Sequence, residues 1–132
     1  YAEWKERWWK TYRRYGYIST LTGFTCQGIM SKNNCINYPV QSAAFHCLLW
    51  CFIQIDRIQR EEGWDSRLVG QIHDSMVLDV LPSEADHVYK TIRRVMCEDL
   101  PNAWKWIIIP IDVDASITPI DGSLADKTSF KI

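Results

Sequence analysis

Residues 70–80 read Gly70-Gln71-Ile72-His73-Asp74-Ser75-Met76-Val77-Leu78-Asp79-Val80. Leu68–His73 and Met76–Val80 are short runs rich in apolar and β-branched residues, a pattern that predicts two strands. Asp74 and Ser75 stand between them, where a tight hairpin turn belongs. An aspartate at a hairpin tip, flanked by apolar strands, is held on a rigid support and points out of the sheet. Divalent-metal chemistry on phosphates needs hard oxygen ligands fixed in this way, with the ion still free to exchange water for phosphate oxygens. Aspartate and serine are also common turn residues, so this tripeptide alone fits either a site or a plain turn.

Upstream, no helix breaker occurs from Gln41 to about Glu62. Ala43 to Ile53 is apolar nearly all round apart from His46, which predicts a long helix that begins at Pro39, is buried on most sides and stops at Gly63. Before it, Tyr15–Thr22 and Thr25–Met30 predict a strand pair broken at Thr22-Gly23, and Ser31–Asn34 predicts a polar turn. Residues 2–14 set Trp4, Trp8, Trp9 and Tyr12 at helical spacing against Lys5, Arg7, Lys10, Arg13 and Arg14. The charged side of this helix suits either solvent or phosphate.

Downstream, Pro82 ends the hairpin unit. Ser83 is placed to cap a helix, with Glu84 and Asp86 in its first turn and Ala85, Val88, Tyr89, Ile92, Val95 and Met96 as its apolar stripe. Ile107–Val113 predicts a buried strand, confined to an edge or bulge by Pro110. Residues 118–132 are weakly patterned and expected to be a loose tail. The whole order predicts an α+β fold with an antiparallel sheet.

With 132 residues, 47% of them hydrophobic, the chain suits one globular domain. Its 15 Lys+Arg against 16 Asp+Glu exclude a strongly basic nucleic-acid module on bulk charge. Seven Trp is a high count, and it predicts that part of the surface is meant for another chain. No apolar run reaches the ~18 residues of a membrane-spanning helix, and no signal peptide opens the chain. It begins at Tyr1, in the middle of a helical pattern, as expected of a piece of something longer. Five irregularly spaced cysteines fit reduced thiols in the cytoplasm rather than a disulfide framework. A zinc module built on Cys47 and Cys51 with Cys26, Cys35 and His46 would need a second close ligand pair, and Cys47 and Cys51 sit in a strongly apolar helix.

The segment Gln71-Ile72-His73-Asp74-Ser75 resembles motif C of the family A DNA polymerases, typically Q-V-H-D-E followed by a hydrophobic strand. Asn37-Tyr38-Pro39-Val40-Gln41-Ser42-Ala43-Ala44 resembles that family's N-x-P-(hydrophobic)-Q-G-T-A, which opens a long palm helix. Gly16-Tyr17-Ile18-Ser19-Thr20-Leu21-Thr22-Gly23 resembles its G-Y-V-x-T-x-x-G. The three occur in the family's order, and the likeness covers roughly residues 4–117.

The resemblance implies an antiparallel palm-type sheet, its motif C hairpin packed on helices, in a partial polymerase domain. It divides the chain into residues 1–36 (end of the fingers, with connecting helix and hairpin), 37–117 (the C-terminal palm portion) and 118–132 (the tail). It implies that Asp74 is catalytic and binds the Mg²⁺ pair, that His73 lies near the primer terminus, and that Asn37 and Gln41 contact template and primer in the minor groove. Amide donors there can check pairing geometry without reading sequence, because the minor-groove acceptors are similar for all base pairs. The plain alternatives are a helix cap for Asn37 and a first-turn polar residue for Gln41. Ser75, a metal-site neighbour, stands where the family has an acid; Asn33 replaces an arginine, and Phe24 and Thr25 replace basic residues. These departures fit a divergent, phage-type member.

The implied partners are primer-template DNA, dNTP and an N-terminal polymerase part, separate or once attached, which would supply the motif A carboxylate and the fingers that this sequence lacks. The implied location is the cytoplasm of a bacterial or phage-infected cell, with no membrane. Two other classes stay open. One is a non-catalytic fragment that binds DNA or a partner. The other is an HD-type metal phosphohydrolase, although the valines and isoleucines around His73-Asp74 favour strands over the helix such a site uses.

Overall fold

The computed structural model describes residues 1–130; the last two residues of the expected tail lie outside the described residues. The chain divides into two compact units, Tyr1–Leu49 and the stretch from Trp50 onward. The class is α+β, and among the described residues the strands form three separate two-stranded antiparallel pairs.

In the first unit, helix α1 (Ala2–Tyr15) fulfils the Trp-and-charge periodicity and ends at Gly16, whose φ of 77° returns its N–H to the Tyr12 carbonyl. Strands β1 (Tyr17–Ser19) and β2 (Thr25–Gln27) pair with Ile18 opposite Cys26. Ile18, Met30 and Cys35 are buried, and Trp8, Trp9, Tyr12 and Cys26 pack on them. The Tyr12 hydroxyl donates to the Gly28 carbonyl at 2.6 Å and accepts the Met30 N–H at 3.0 Å, which fixes α1 to the chain leaving β2. Glu6 and Lys32 form an ion pair.

Helix α2 (Lys32–Glu62) begins well before Pro39, and the expected turn at 31–34 is its first turn. Ser31 provides the start: its hydroxyl accepts the Asn34 N–H and its carbonyl accepts the Cys35 N–H. Pro39 then lies inside the helix, where it cannot donate to the Cys35 carbonyl. Cys35, Ile36 and Pro39 are all buried, and that burial offsets the lost bond. The expectation that α2 is buried on most sides is corrected too: Phe45, Leu49 and Ile53, each four residues apart, are 47%, 37% and 50% exposed.

In the second unit, α2 closes with Gly63 at φ 68° and the Trp64 N–H on the Gln59 carbonyl, a Schellman ending. Trp64 is buried, and its indole N–H donates to Glu62 at 2.8 Å. His87 lies 2.7 Å from the same carboxylate oxygen and sets its ring edge-on to Trp64. These contacts hold the Glu62 carboxyl below its usual range, His87 contributing most and Trp64 next.

After β3 (Arg67–Ile72) and β4 (Ser75–Asp79), a 3₁₀ turn (Pro82–Glu84), helix α3 (Ala85–Arg94), a π-type turn (Val95–Asp99) and helix α4 (Leu100–Ala103) follow without a break. The expected Ser83 cap is not made; no side-chain cap bond serves either start. The expected strand at 107–113 is irregular chain, with Ile108 and Ile109 88% and 71% exposed. Pro110 removes a ladder donor, and an isolated run has no neighbour to pair with. Arg93 and Asp112 join it to α3 at 3.2 Å. The tail is not loose throughout: β5 (Ala115–Ile117) pairs with β6 (Thr128–Phe130), whose Phe130 meets Tyr89 edge-on.

Ile55 is fully buried on α2. Ile55→Ala should therefore destabilise the fold by about 2–5 kcal/mol, measured as a shift in the urea midpoint at unchanged slope. The Glu62 contact should confer pH dependence. Because its carboxyl is lowered in the fold, its contribution is complete above the unfolded glutamate value of roughly 4.3 and fades as pH falls through the lower folded value. Melting curves below that pH should fall less steeply for Glu62→Gln than for the parent.

Candidate active site

The ribbon of β3 and β4 pairs Ile72 with Ser75, so the two central turn residues are His73 and Asp74. The turn thus lies one residue earlier than the sequence pattern indicates, and Ser75 opens β4. A two-residue hairpin needs positive φ in its turn, and here His73 supplies it at 52°. Histidine tolerates this conformation better than the β-branched Ile72 before it.

Two side chains brace the turn. The Gln71 amide donates to the His73 carbonyl at 3.0 Å, and the Ser75 hydroxyl donates to the Ile72 carbonyl at 2.8 Å. Lower in the ribbon, Leu68 opposes Leu78 and Gly70 opposes Val77, so Val69 is an extra residue that bulges β3. At the base, the Gln59 side chain accepts the Leu68 N–H at 3.0 Å and ties β3 to α2.

His73, Asp74 and Ser75 are all exposed. Among the described residues, the Asp74 carboxylate has no hydrogen-bond or ion-pair partner. A hard, anionic, accessible oxygen pair on a braced turn is the donor type that Mg²⁺ prefers. Among the described residues no group of three or more His, Cys, Asp or Glu is placed to hold a metal, so the donor chemistry fits while the donor number falls short of a whole site. The Ser75 hydroxyl spends its one proton on the turn and keeps lone pairs on its outer side.

Asn37 and Gln41 lie four residues apart on α2 and so share a face, both exposed and without side-chain hydrogen bonds. Neither plain alternative holds, since the cap is Ser31 and Gln41 lies beyond the first turn. Asn37 and Gln41 belong to the first unit, His73 and Asp74 to the second. The zinc ligand set is not assembled, because Cys35 and Cys51 are buried among core side chains and His46 Nδ1 lies 2.6 Å from the Thr22 hydroxyl. Burial pushes the Cys35 and Cys47 thiols up, away from the thiolate a metal would need. The HD-type phosphohydrolase reading also fails on secondary structure, as His73-Asp74 is a strand-to-strand turn and not part of a helix.

Sequence reading passed over Gln71, whose amide braces the turn, and Glu84, whose carboxylate accepts the Asp65 and Ser66 N–H groups and the Ser66 hydroxyl. A glutamate two residues beyond the proline that ends the ribbon was the available signal. Its partners lie 18 and 19 residues earlier, out of reach of any local pattern.

Among the described residues no helix is long and apolar enough to cross a membrane. The profile of DNA polymerase family A matches residues 2–122. DNA polymerase I of Chloroflexus aurantiacus is 23% identical over 117 residues, covering 81% of this chain and 12% of that protein. A DNA polymerase of Bacillus phage SP01 is 30% identical over 90 residues, covering 60% and 10%. DNA polymerase I of Aquifex aeolicus is 25% identical over 123 residues, covering 89% and 20%. Among solved structures, the POL domain of Pol1 from M. smegmatis in complex with DNA primer-template and dNTP superposes at a TM-score of 0.66 with 21% identity, over 72% of this chain and 19% of that one. This chain spans about a tenth to a fifth of the length of these relatives. With that match running nearly end to end, and with a hairpin that carries His73-Asp74 at its turn, the chain belongs to DNA polymerase family A.

Proposed function

We propose that this chain is the C-terminal palm portion of a DNA-directed DNA polymerase. In the complete enzyme the primer 3′-hydroxyl attacks the α-phosphate of a dNTP, forms the new phosphodiester bond and releases pyrophosphate. The observation that carries the reading is the exposed, unpaired Asp74 carboxylate on a braced two-residue turn, in a chain that matches family A from residue 2 to 122.

Asp74, with Ser75 as its neighbour, would hold Mg²⁺, two ions being needed in the complete site. When bound, the metal lowers the pKa of the hydroxyl and stabilises charge on the phosphate. The chain's own residues do the remaining work. The Gln71 and Ser75 side chains keep the turn from fraying, so the carboxylate is presented in one orientation. His73 stands beside it at the primer end. Asn37 and Gln41 donate amide hydrogens to minor-groove acceptors and hold the duplex without regard to sequence. An N-terminal polymerase part, carried on the same protein or on a separate subunit, supplies the motif A carboxylate and the fingers. The division into residues 1–36, 37–117 and 118–132 belongs to this reading, as does a place of work in the cytoplasm of a bacterial or phage-infected cell.

Primer extension tests it, on material captured from the native source through a tag on this chain. Asp74→Asn should lower extension by on the order of 10²-fold or more, as expected when charge stabilisation of a phosphoryl-transfer transition state is lost. No extension from parent or variant, with a partner chain plainly present, would favour a non-catalytic DNA-binding role. Equal extension from both would remove Asp74 from the metal site. Asn37→Ala and Gln41→Ala should each weaken primer-template binding by roughly 3- to 10-fold, the worth of one hydrogen bond, with little change in kcat. Filter binding and steady-state kinetics separate the two effects.

A further inference from the structure

We propose that Glu84, acting through Ser66, is a positioning residue for Asp74. This rests on the reading of Asp74 as the metal-holding carboxylate. Glu84 lies in the turn that follows the ribbon. One of its oxygens accepts the Asp65 N–H at 3.1 Å; the other accepts the Ser66 N–H at 2.8 Å and the Ser66 hydroxyl at 2.5 Å. The Ser66 hydroxyl in turn accepts the Leu81 N–H at 3.0 Å. Asp65 and Ser66 lead into β3, while Leu81 follows β4 closely. A single carboxylate therefore gathers both legs of the ribbon and the start of the next helix at one point.

Ser66 is 1% exposed, whereas Glu84 is half-buried and Asp65 and Leu81 are exposed, so the junction is shielded on its Ser66 side. Its hydroxyl uses donor and acceptor together, and no buried side-chain polar atom among the described residues is left unpaired. The same contacts, the Ser66 hydroxyl foremost, hold the Glu84 carboxyl below its usual range.

The functional consequence is one of leverage. β3 is six residues long, so at about 3.3 Å per residue the turn lies roughly 20 Å from the base. A tilt of about 5° at the base then moves the Asp74 end by roughly 1.7 Å over that length. A displacement of about 1 Å can lower a rate by roughly 10²-fold. Glu84 touches neither substrate nor metal in this scheme; it sets where Asp74 stands.

The test uses the polymerase that contains this chain, with Glu84→Gln and Ser66→Ala. The glutamine puts an amide donor among three donors, and the alanine cuts the link to Leu81 while sparing both backbone contacts of Glu84. Both variants should lose roughly 10- to 100-fold in kcat, with KM for dNTP and affinity for primer-template within about twofold of the parent. The Mg²⁺ concentration for half-maximal rate should rise several-fold. Independently of activity, amide hydrogen exchange at residues 72–75 should accelerate about tenfold while that of α1 is unchanged. If Glu84→Gln does not fold at the assay temperature, Ser66→Ala carries the test alone. Parental kcat, Mg²⁺ requirement and exchange in a folded variant would overturn the proposal. So would a loss confined to KM, which marks a damaged binding surface. If Asp74→Asn itself extends primers as the parent does, the underlying reading fails first, and the exchange data then report on the ribbon alone.

Discussion

Within each unit, the stretch of α2 that belongs to it supplies a polar side chain that holds neighbouring chain in place, and this constraint organises the rest of that unit. In the first unit His46 meets the Thr22 hydroxyl at the β1–β2 turn. In the second, the Gln59 side chain accepts the Leu68 N–H of β3 and Glu62 gathers Trp64 and His87. These are polar contacts, and those to the Leu68 N–H and the Trp64 indole answer donors at a strand start and in a buried ring. Within each unit, the few polar residues of α2 fall where neighbouring chain offers a partner.

The short elements show the same economy. None of the strand pairs is wider than two strands, and two-stranded ribbons are marginal by themselves. The β3–β4 ribbon is held at its turn by Gln71 and Ser75, on its flank by Gln59, and at its base by Glu84 and Ser66. Side-chain hydrogen bonds thus do for this ribbon what neighbouring strands do in a wider sheet. The exposed Phe45, Leu49 and Ile53 on α2, and Ile108 and Ile109, are part of the apolar surface left over.

Much of the fold was legible in the sequence wherever local chemistry decides. The α1 periodicity, the stop at Gly63, the ribbon and the α3 stripe each follow from spacing within a few residues. The failures came where a distant partner decides. Pro39 suggests a helix start by its ring geometry, yet Ser31 caps the helix and burial around Cys35 and Ile36 carries it through the proline. Ser83 has the chemistry of a cap, but the carboxylate beside it is drawn to Asp65 and Ser66 instead. Ile107–Val113 has the composition of a buried strand, yet it is irregular chain with Ile108 and Ile109 exposed, because composition does not provide a neighbour. Of the candidate site, Asp74 was placed at a turn correctly and the register was off by one. The positive φ that shifts it falls on a histidine, where no glycine or asparagine announces it.

That left-handed histidine sets two demands against each other at one position. A non-glycine residue in this conformation carries a backbone cost of about 1–2 kcal/mol, and glycine would remove it. Relief of the turn and retention of the imidazole are therefore mutually exclusive, since the substitution that suits the backbone best deletes the side chain. A lineage selected for thermal endurance alone would drift toward glycine at 73, whereas one that needs the ring must carry the strain and recover it elsewhere. The bonds from Gln71 to the His73 carbonyl and from Ser75 to the Ile72 carbonyl are where that recovery is visible.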